Sequence, residues 1–391
     1  MKLFGKRTDI AFLVFLAMFS VLQQGRGKLR APFWDYHVYV DALARLHAGA
    51  NPYAAQALPF VYPPLFLNLF GHAPFASVYA LFAAAALGCA LWGIGRSPVW
   101  LVAALGFLTG GAGVGGIVTG NFAIFAHVLL VALFYAASRD EGLGTDASRA
   151  LAWLIALLIV VFASIKIYFF AYAFVFLFLP KATRYLLLAA AGVALAGVAQ
   201  VVFEPQQWAA FEAMLRLQML VRNDAGLVLP GLLQRHLHAL PPFVDVLVHV
   251  TIVTALFVYA INPLRAPRAI AFGDVSGKLF YLLAFAIVLN PRLKEYDLGP
   301  FFACCFASLF LNRHGDTPRE RAFFFAVPAA FIAAWIVVVL TRWFFVLDGA
   351  WVLGVYLVFA LASLRQRAQR APAMLAAEPR GTRDADLTVT P

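Results

Sequence analysis

The chain has 391 residues, 63% of them hydrophobic and only 13% charged, with a mean hydropathy of +0.84. Soluble domains carry about a quarter charged residues, so this balance excludes an ordinary set of soluble domains and predicts one membrane unit over residues 1–365. The net charge of +11 is spread between apolar runs and in the tail. Without a basic stripe interleaved with aromatics, it argues against nucleic acid as a partner and for the Lys/Arg excess that membrane proteins keep on their cytoplasmic side.

In chain order, Lys2, Lys6 and Arg7 precede a first apolar run at 8–24. No small-residue cleavage site follows before Gln23 and Gln24, so an uncleaved helix is expected rather than a signal peptide. Further apolar segments fall near 74–94, 98–118, 121–137, 150–164, 167–180, 185–203, 243–262, 275–290, 298–312, 322–341 and 344–364. Together they predict an all-α polytopic fold of about twelve membrane helices. Most Lys and Arg fall on alternate connections, which places both termini in the cytoplasm. Lys166 divides a stretch, 150–180, that is too long for one crossing and short for two, predicting two short tilted helices or a broken one.

Two outer loops, 25–73 and 204–242, are too long to be turns and form the expected active face. In the first, Val38, Ala42 and Leu46 recur every fourth residue, the pattern of an interfacial amphipathic helix. In the second, Trp208, Phe211, Leu215 and Met219 share one stripe, and Leu233, Leu237 and Leu240 form another after Pro230. The tail, 366–391, is rich in Ala, Arg, Pro and Thr and is expected to be disordered. Cys89, Cys304 and Cys305 lie in apolar segments and read as packing residues.

Polar chemistry concentrates in "FWDYHVYVDALARLHAGANPYA", 33–54. Asp35 suits a helix N-cap, yet Tyr36, His37 and Asp41 beside it exceed what a cap requires, and polar clusters at membrane depth suggest a site. "NPYAAQALPFVYPPLF", 51–66, reads as a stiff non-helical strap. It is either a plain connector or a holder of Tyr53 and Tyr62 against Asp35. "LNPRLKEYDLGP", 289–300, is either a solvated turn or a place where Arg292 or Lys294 meets an anionic headgroup. Lys166 either snorkels to the interface or serves that site. Glycines at 111, 113 and 116 have dinucleotide-motif spacing but no βαβ context, so close helix approach is expected instead. His236 and His238 point to different faces and do not suggest a metal site.

"DYHVYVDALARLHAGANPY" followed by "FVYPPL" resembles the opening of glycosyltransferase family 87, GT-C type membrane enzymes that include mycobacterial polyprenol-phosphate-dependent mannosyl and arabinofuranosyl transferases. "GNFAIF", "IKIYFF", "GLVLPGLLQRHL" and "NPRLKEYD" follow in the family's order, over roughly residues 8–310. The resemblance implies inverting sugar transfer from a polyprenyl-phosphate donor to a hydroxyl of a glycolipid or glycan, at the outer face of a bacterial cytoplasmic membrane. Asp35 matches the family's catalytic aspartate. Asn121 stands where a glutamine is expected, and Arg292, Lys294 and Tyr296 stand where mycobacterial members carry histidine and tryptophan.

A lipid phosphate leaves as a stable anion, so one carboxylate suffices, as the base for the acceptor hydroxyl. Asp35 is the expected base, with Lys166, Arg235, Arg292 and Lys294 holding the phosphate. Tyr36, His37, Asp41, Tyr53, Tyr62 and Asn121 are expected to bind substrate. Asp35 and Asp41 alone are thin ligation for a divalent ion, so no metal or other cofactor is expected. The competing expectations are a polytopic lipid or sugar transporter or flippase, for which no internal repeat is visible, and a noncatalytic scaffold.

Overall fold

The computed structural model describes residues 32–54, 59–94, 97–108, 112–138, 145–179, 182–218, parts of 244–255, and 275–311. Eleven α-helices organise these residues: α1 (Trp34–His47), α2 (Pro64–Gly71), α3 (Phe75–Ile94), α4 (Pro98–Leu108), α5 (Ala112–Thr119), α6 (Phe122–Ser138), α7 (Asp146–Ile165), α8 (Thr183–Phe203), α9 (Pro205–Arg216), α10 (Val275–Val288) and α11 (Leu298–Leu311). A 3-10 helix, Ile167–Phe178, follows α7, and a short one, Glu295–Asp297, precedes α11. Among the described residues there is no strand.

Among the described residues, three helices are long and apolar enough to cross a membrane, at Phe75–Gly93, Asp146–Ile165 and Thr183–Phe203. α4 and α5 form a bent pair, turned by 71°, and α6, the long 3-10 helix, α10 and α11 contribute shorter apolar helices. The molecule is therefore a helical, membrane-embedded protein. The expected helices at 8–24, 322–341 and 344–364, most of 243–262, and the tail lie outside the described residues.

The apolar helices separate into outer and inner members. α3 and α8 turn large apolar side chains outward, with Leu81 71%, Leu195 71% and Phe203 79% exposed, as a lipid-facing helix does. The inner members α6, α10, α11 and the long 3-10 helix interdigitate aromatic rings, with Phe134, Phe169, Tyr172, Phe176, Phe280, Phe285, Phe301 and Phe302 fully buried. Glycine permits the tightest approaches: a Cβ on Gly299 of α11 would meet Gly113 Cα of α5 at 2.5 Å. The glycine-rich run thus brings two backbones together, as its composition predicted.

Lys166 caps α7 with extended backbone (φ −139°, ψ 100°), and the chain continues for 12 residues as a 3-10 helix. Such long 3-10 runs are uncommon and mark a strained or functional break. The expectation of a broken path through 150–180 is met by this arrangement.

The helices within the segments 25–73 and 204–242 pack as amphipathic pieces, with corrected faces. α1 buries Tyr39, Ala42 and Leu43, with Val38 and Leu46 only partly covered. α9 buries Phe211 and Met214, with Trp208 and Leu215 at the margin, while Met219 and the stripe after Pro230 lie outside the described residues. The proline-rich strap ends sooner than the sequence suggests, because Pro64 occupies the first turn of α2, where its missing N–H is not needed. Gln200 of α8 ties these layers together: its Oε1 accepts from Leu65 N at 2.9 Å, and its Nε2 donates to Ala196 O at 3.3 Å.

Candidate functional site

The start of α1, the start of α6, the end of α7 and the loop from α10 to α11 meet at one end of the bundle. Their junction is built around Gly120 and Asn121. α5 ends in a Schellman turn, in which Gly120 N donates to Ile117 O at 3.1 Å and Asn121 N donates to Gly116 O at 3.2 Å. Such a turn satisfies carbonyls that the end of a helix leaves without partners. Gly120 takes φ 70°, and a Cβ there would meet Tyr36 Cβ at 3.0 Å and Phe33 Cδ1 at 3.1 Å. Only glycine fits both the conformation and the space. Tyr79 closes the turn by donating to Gly120 O at 2.8 Å.

Asn121 then begins α6 and is buried to 1% exposure. Its Oδ1 accepts from Ala123 N at 3.0 Å and also from Lys166 Nζ at 3.3 Å. The first of these is an N-cap bond. With the oxygen committed to two donors, the amide orientation is fixed. Nδ2 therefore faces Asp35 and donates to Oδ2 at 3.1 Å. One amide bridges the carboxylate and the ammonium.

Asp35 is not the N-cap of α1. Phe33 holds that position with φ 61° and no side-chain cap bond, while its N–H donates to Val118 O at 2.6 Å. Asp35 lies in the first turn, freed from capping and turned to Asn121. Burial raises its carboxyl above the usual carboxylate range, opposed by the charge of Lys166 and by hydrogen bonds from Asn121, Thr119 and Trp34.

Lys166 projects from the break after α7 into a cage of rings. Its ammonium lies 4.9 Å from the Tyr62 centroid, 5.2 Å from Phe122, and 5.8 Å from both Tyr168 and Tyr296. Each ring attracts the cation through its quadrupole. Burial nevertheless lowers the ammonium to about 8, with Asp297 and Asp35 pulling it upward and Arg292 and Lys294 pushing it down. Arg292 and Lys294 thus belong to the same charged neighbourhood. Among the described residues no group of three or more His, Cys, Asp or Glu is gathered as a metal could require.

Tyr62 contributes one wall and a hydroxyl chain: its OH lies 2.9 Å from Tyr39 OH, and Tyr39 OH accepts from Phe122 N at 3.4 Å. Burial pushes both phenols up, so they remain protonated. Tyr53 stands one shell behind, donating to Tyr62 O at 2.9 Å. Tyr36 packs between Phe75 and Tyr79, at 5.6 and 5.0 Å, supporting the Gly120 turn.

The sequence-predicted set is therefore divided. Asp35, Asn121, Lys166, Tyr62, Arg292 and Lys294 come together. His37 and Asp41 sit on the exposed side of α1, apart from the Asp35 carboxylate's bridge to Asn121. Arg235 and "GLVLPGLLQRHL" lie outside the described residues. Missed by the sequence reading were His127 and Tyr172, whose side chains pair at 2.7 Å, and Asp297, 3.5 Å from His127. A histidine inside an apolar run was the available signal, since ionisable groups at membrane depth are costly to keep there.

No family model matches the chain, and no curated protein matches it. What fold and site define together is a helical membrane protein with a bridged carboxylate–ammonium centre at one end of its bundle.

Proposed function

We propose that this protein is an inverting, GT-C type glycosyltransferase that moves a sugar, mannose- or arabinofuranose-like, from a polyprenyl-phosphate donor to a hydroxyl of a glycolipid or glycan. The observation that carries the reading is the Asp35–Asn121–Lys166 bridge, which sets a basic carboxylate beside a caged cation. The acceptor oxygen attacks the anomeric carbon from the face opposite the phosphate, the carbon–oxygen bond to phosphate breaks, and Asp35 takes the hydroxyl proton. The electron pair leaves with the lipid phosphate, whose added negative charge meets Lys166, Arg292 and Lys294. Those cations supply the charge neutralisation that a divalent ion supplies elsewhere, so the reaction is read as metal-independent. A carboxyl raised by burial is the stronger base, which suits its assigned role.

The same reading takes the chain as a polytopic unit of about twelve crossings with both termini cytoplasmic, the Asp35 end facing outward in a bacterial cytoplasmic membrane. The resemblance of the segments around Asp35, Asn121 and Lys166 to glycosyltransferase family 87 supports it. Incubation of the protein in sealed vesicles with labelled polyprenyl-phosphate sugars tests it. Release of polyprenyl phosphate with label on the acceptor is the expected result. Movement of intact donor between leaflets without release would establish a flippase instead.

A further inference from the structure

The buried pair His127 and Asp297 is unused by the chemistry above, and its connections run to both sides of the site. His127 lies on α6, six residues beyond Asn121, which is roughly 9 Å along a helix rising about 1.5 Å per residue. Its Nδ1 pairs with Tyr172 OH at 2.7 Å and its Nε2 faces Asp297 Oδ1 at 3.5 Å, with the two side chains each 1% exposed. Among the described residues, neither of these facing atoms has a hydrogen-bond partner, so each has only the other's charge or dipole, 3.5 Å away, for compensation in an apolar setting.

The other carboxylate oxygen organises the cationic loop. Asp297 Oδ2 accepts from Lys294 N at 3.0 Å and from Asn290 Nδ2 at 3.3 Å. Asn290 Oδ1 in turn accepts from Arg292 N at 2.9 Å. The backbone positions of both cations in this loop are thus set through Asp297 and Asn290, and Asp297 faces the helix whose first residues hold Asp35.

We propose that His127 and Asp297 form a latch that fixes the loop 289–297 against α6, and so sets where Arg292 and Lys294 meet the phosphate of a lipid. They are positioning residues and touch no substrate. This role presupposes the lipid-phosphate reading above, in which the loop's cations receive the leaving group. The latch couples base and clamp through a single helix, α6.

Binding of farnesyl phosphate and of farnesol to the full-length protein in nanodiscs tests it. Phosphate preference, the ratio of the two affinities, reports the clamp, whereas general damage weakens both ligands alike. His127→Asn keeps a partner for Tyr172 but falls short of Asp297, and should lose about tenfold of that preference, the scale of one charge-assisted contact. His127→Gln restores the reach and should keep the preference within about threefold of wild type. Wild-type preference in His127→Asn overturns the latch, as does equal weakening of both ligands or equal loss in the two variants. Donor consumption by the wild type is measured separately: its absence removes the catalytic reading, while the binding ratio still decides the latch.

Discussion

Replacing Asn121 with Asp changes one atom's chemistry and leaves the shape of the junction intact. Asn121 makes three bonds: the cap to Ala123 N, the acceptance from Lys166, and the donation to Asp35. An aspartate keeps the first two, since it is as good a cap as asparagine. The third becomes an oxygen facing an oxygen across 3.1 Å. Loss of a hydrogen bond to a charged group costs about 1.5–3 kcal/mol, and two carboxylates this close do not both stay ionised. One carboxyl of the pair is then raised above its unfolded value, so the folded variant binds more protons than the unfolded chain. Its stability deficit is therefore full at high pH and shrinks as pH falls through the raised value, where a shared proton restores an O–H···O bond. Asn121→Ala loses cap and donor together, about 2–5 kcal/mol, and the cap's share of that loss, about 0.5–2 kcal/mol, does not recover at any pH. Thermal unfolding in mild detergent between about pH 5 and pH 9 compares them. If Asn121→Asp tracks wild type across that range, Asn121 does not bridge Asp35 and the site's construction is wrong.

Other consequences follow from the same geometry. Asp35→Asn should unfold at a higher temperature than wild type at neutral pH, because burial raises the folded carboxyl and ionised Asp35 opposes folding above its unfolded value; a lower temperature would contradict this. Transfer activity should rise with pH as Asp35 ionises and fall above about 8 as Lys166 loses its proton, and Lys166→Arg should carry the alkaline limb upward in a pH–rate profile. Gly120→Ala should destabilise the fold by about 1–2 kcal/mol, the cost of a left-handed residue. The close contact with Tyr36 adds to that loss, and unfolding against wild type measures it.

The parts legible in the sequence are those with a local cause. Apolar runs near 74–94, 121–137, 185–203 and 298–312 appear as α3, α6, α8 and α11 within a few residues. Asp35 and Lys166 were legible because charge is expensive in an apolar chain, and the break at Lys166 because its segment had an awkward length. Long-range geometry was not legible. Asn121 bridges partners 86 and 45 residues away in sequence, and nothing local states that its amide faces Asp35. The cap reading of Asp35 failed for a tertiary reason: the α5–α6 turn supplies the N–H that the carboxylate accepts, and Phe33 takes the cap position instead. His127 was overlooked because one histidine among Phe, Ala, Leu and Val barely changes the apolar pattern, while its value lies in contacts with Asp297 and Tyr172, far along the chain.

The most direct test is single-turnover consumption of labelled polyprenyl-phosphate sugar by wild type and Asp35→Asn side by side. Removal of a general base predicts a loss on the order of 10²–10⁴-fold in the variant, with undiminished binding of the lipid donor. A variant that releases polyprenyl phosphate at close to the wild-type rate would contradict the account, because the carboxylate that Asn121 holds beside Lys166 would then have no part in the chemistry.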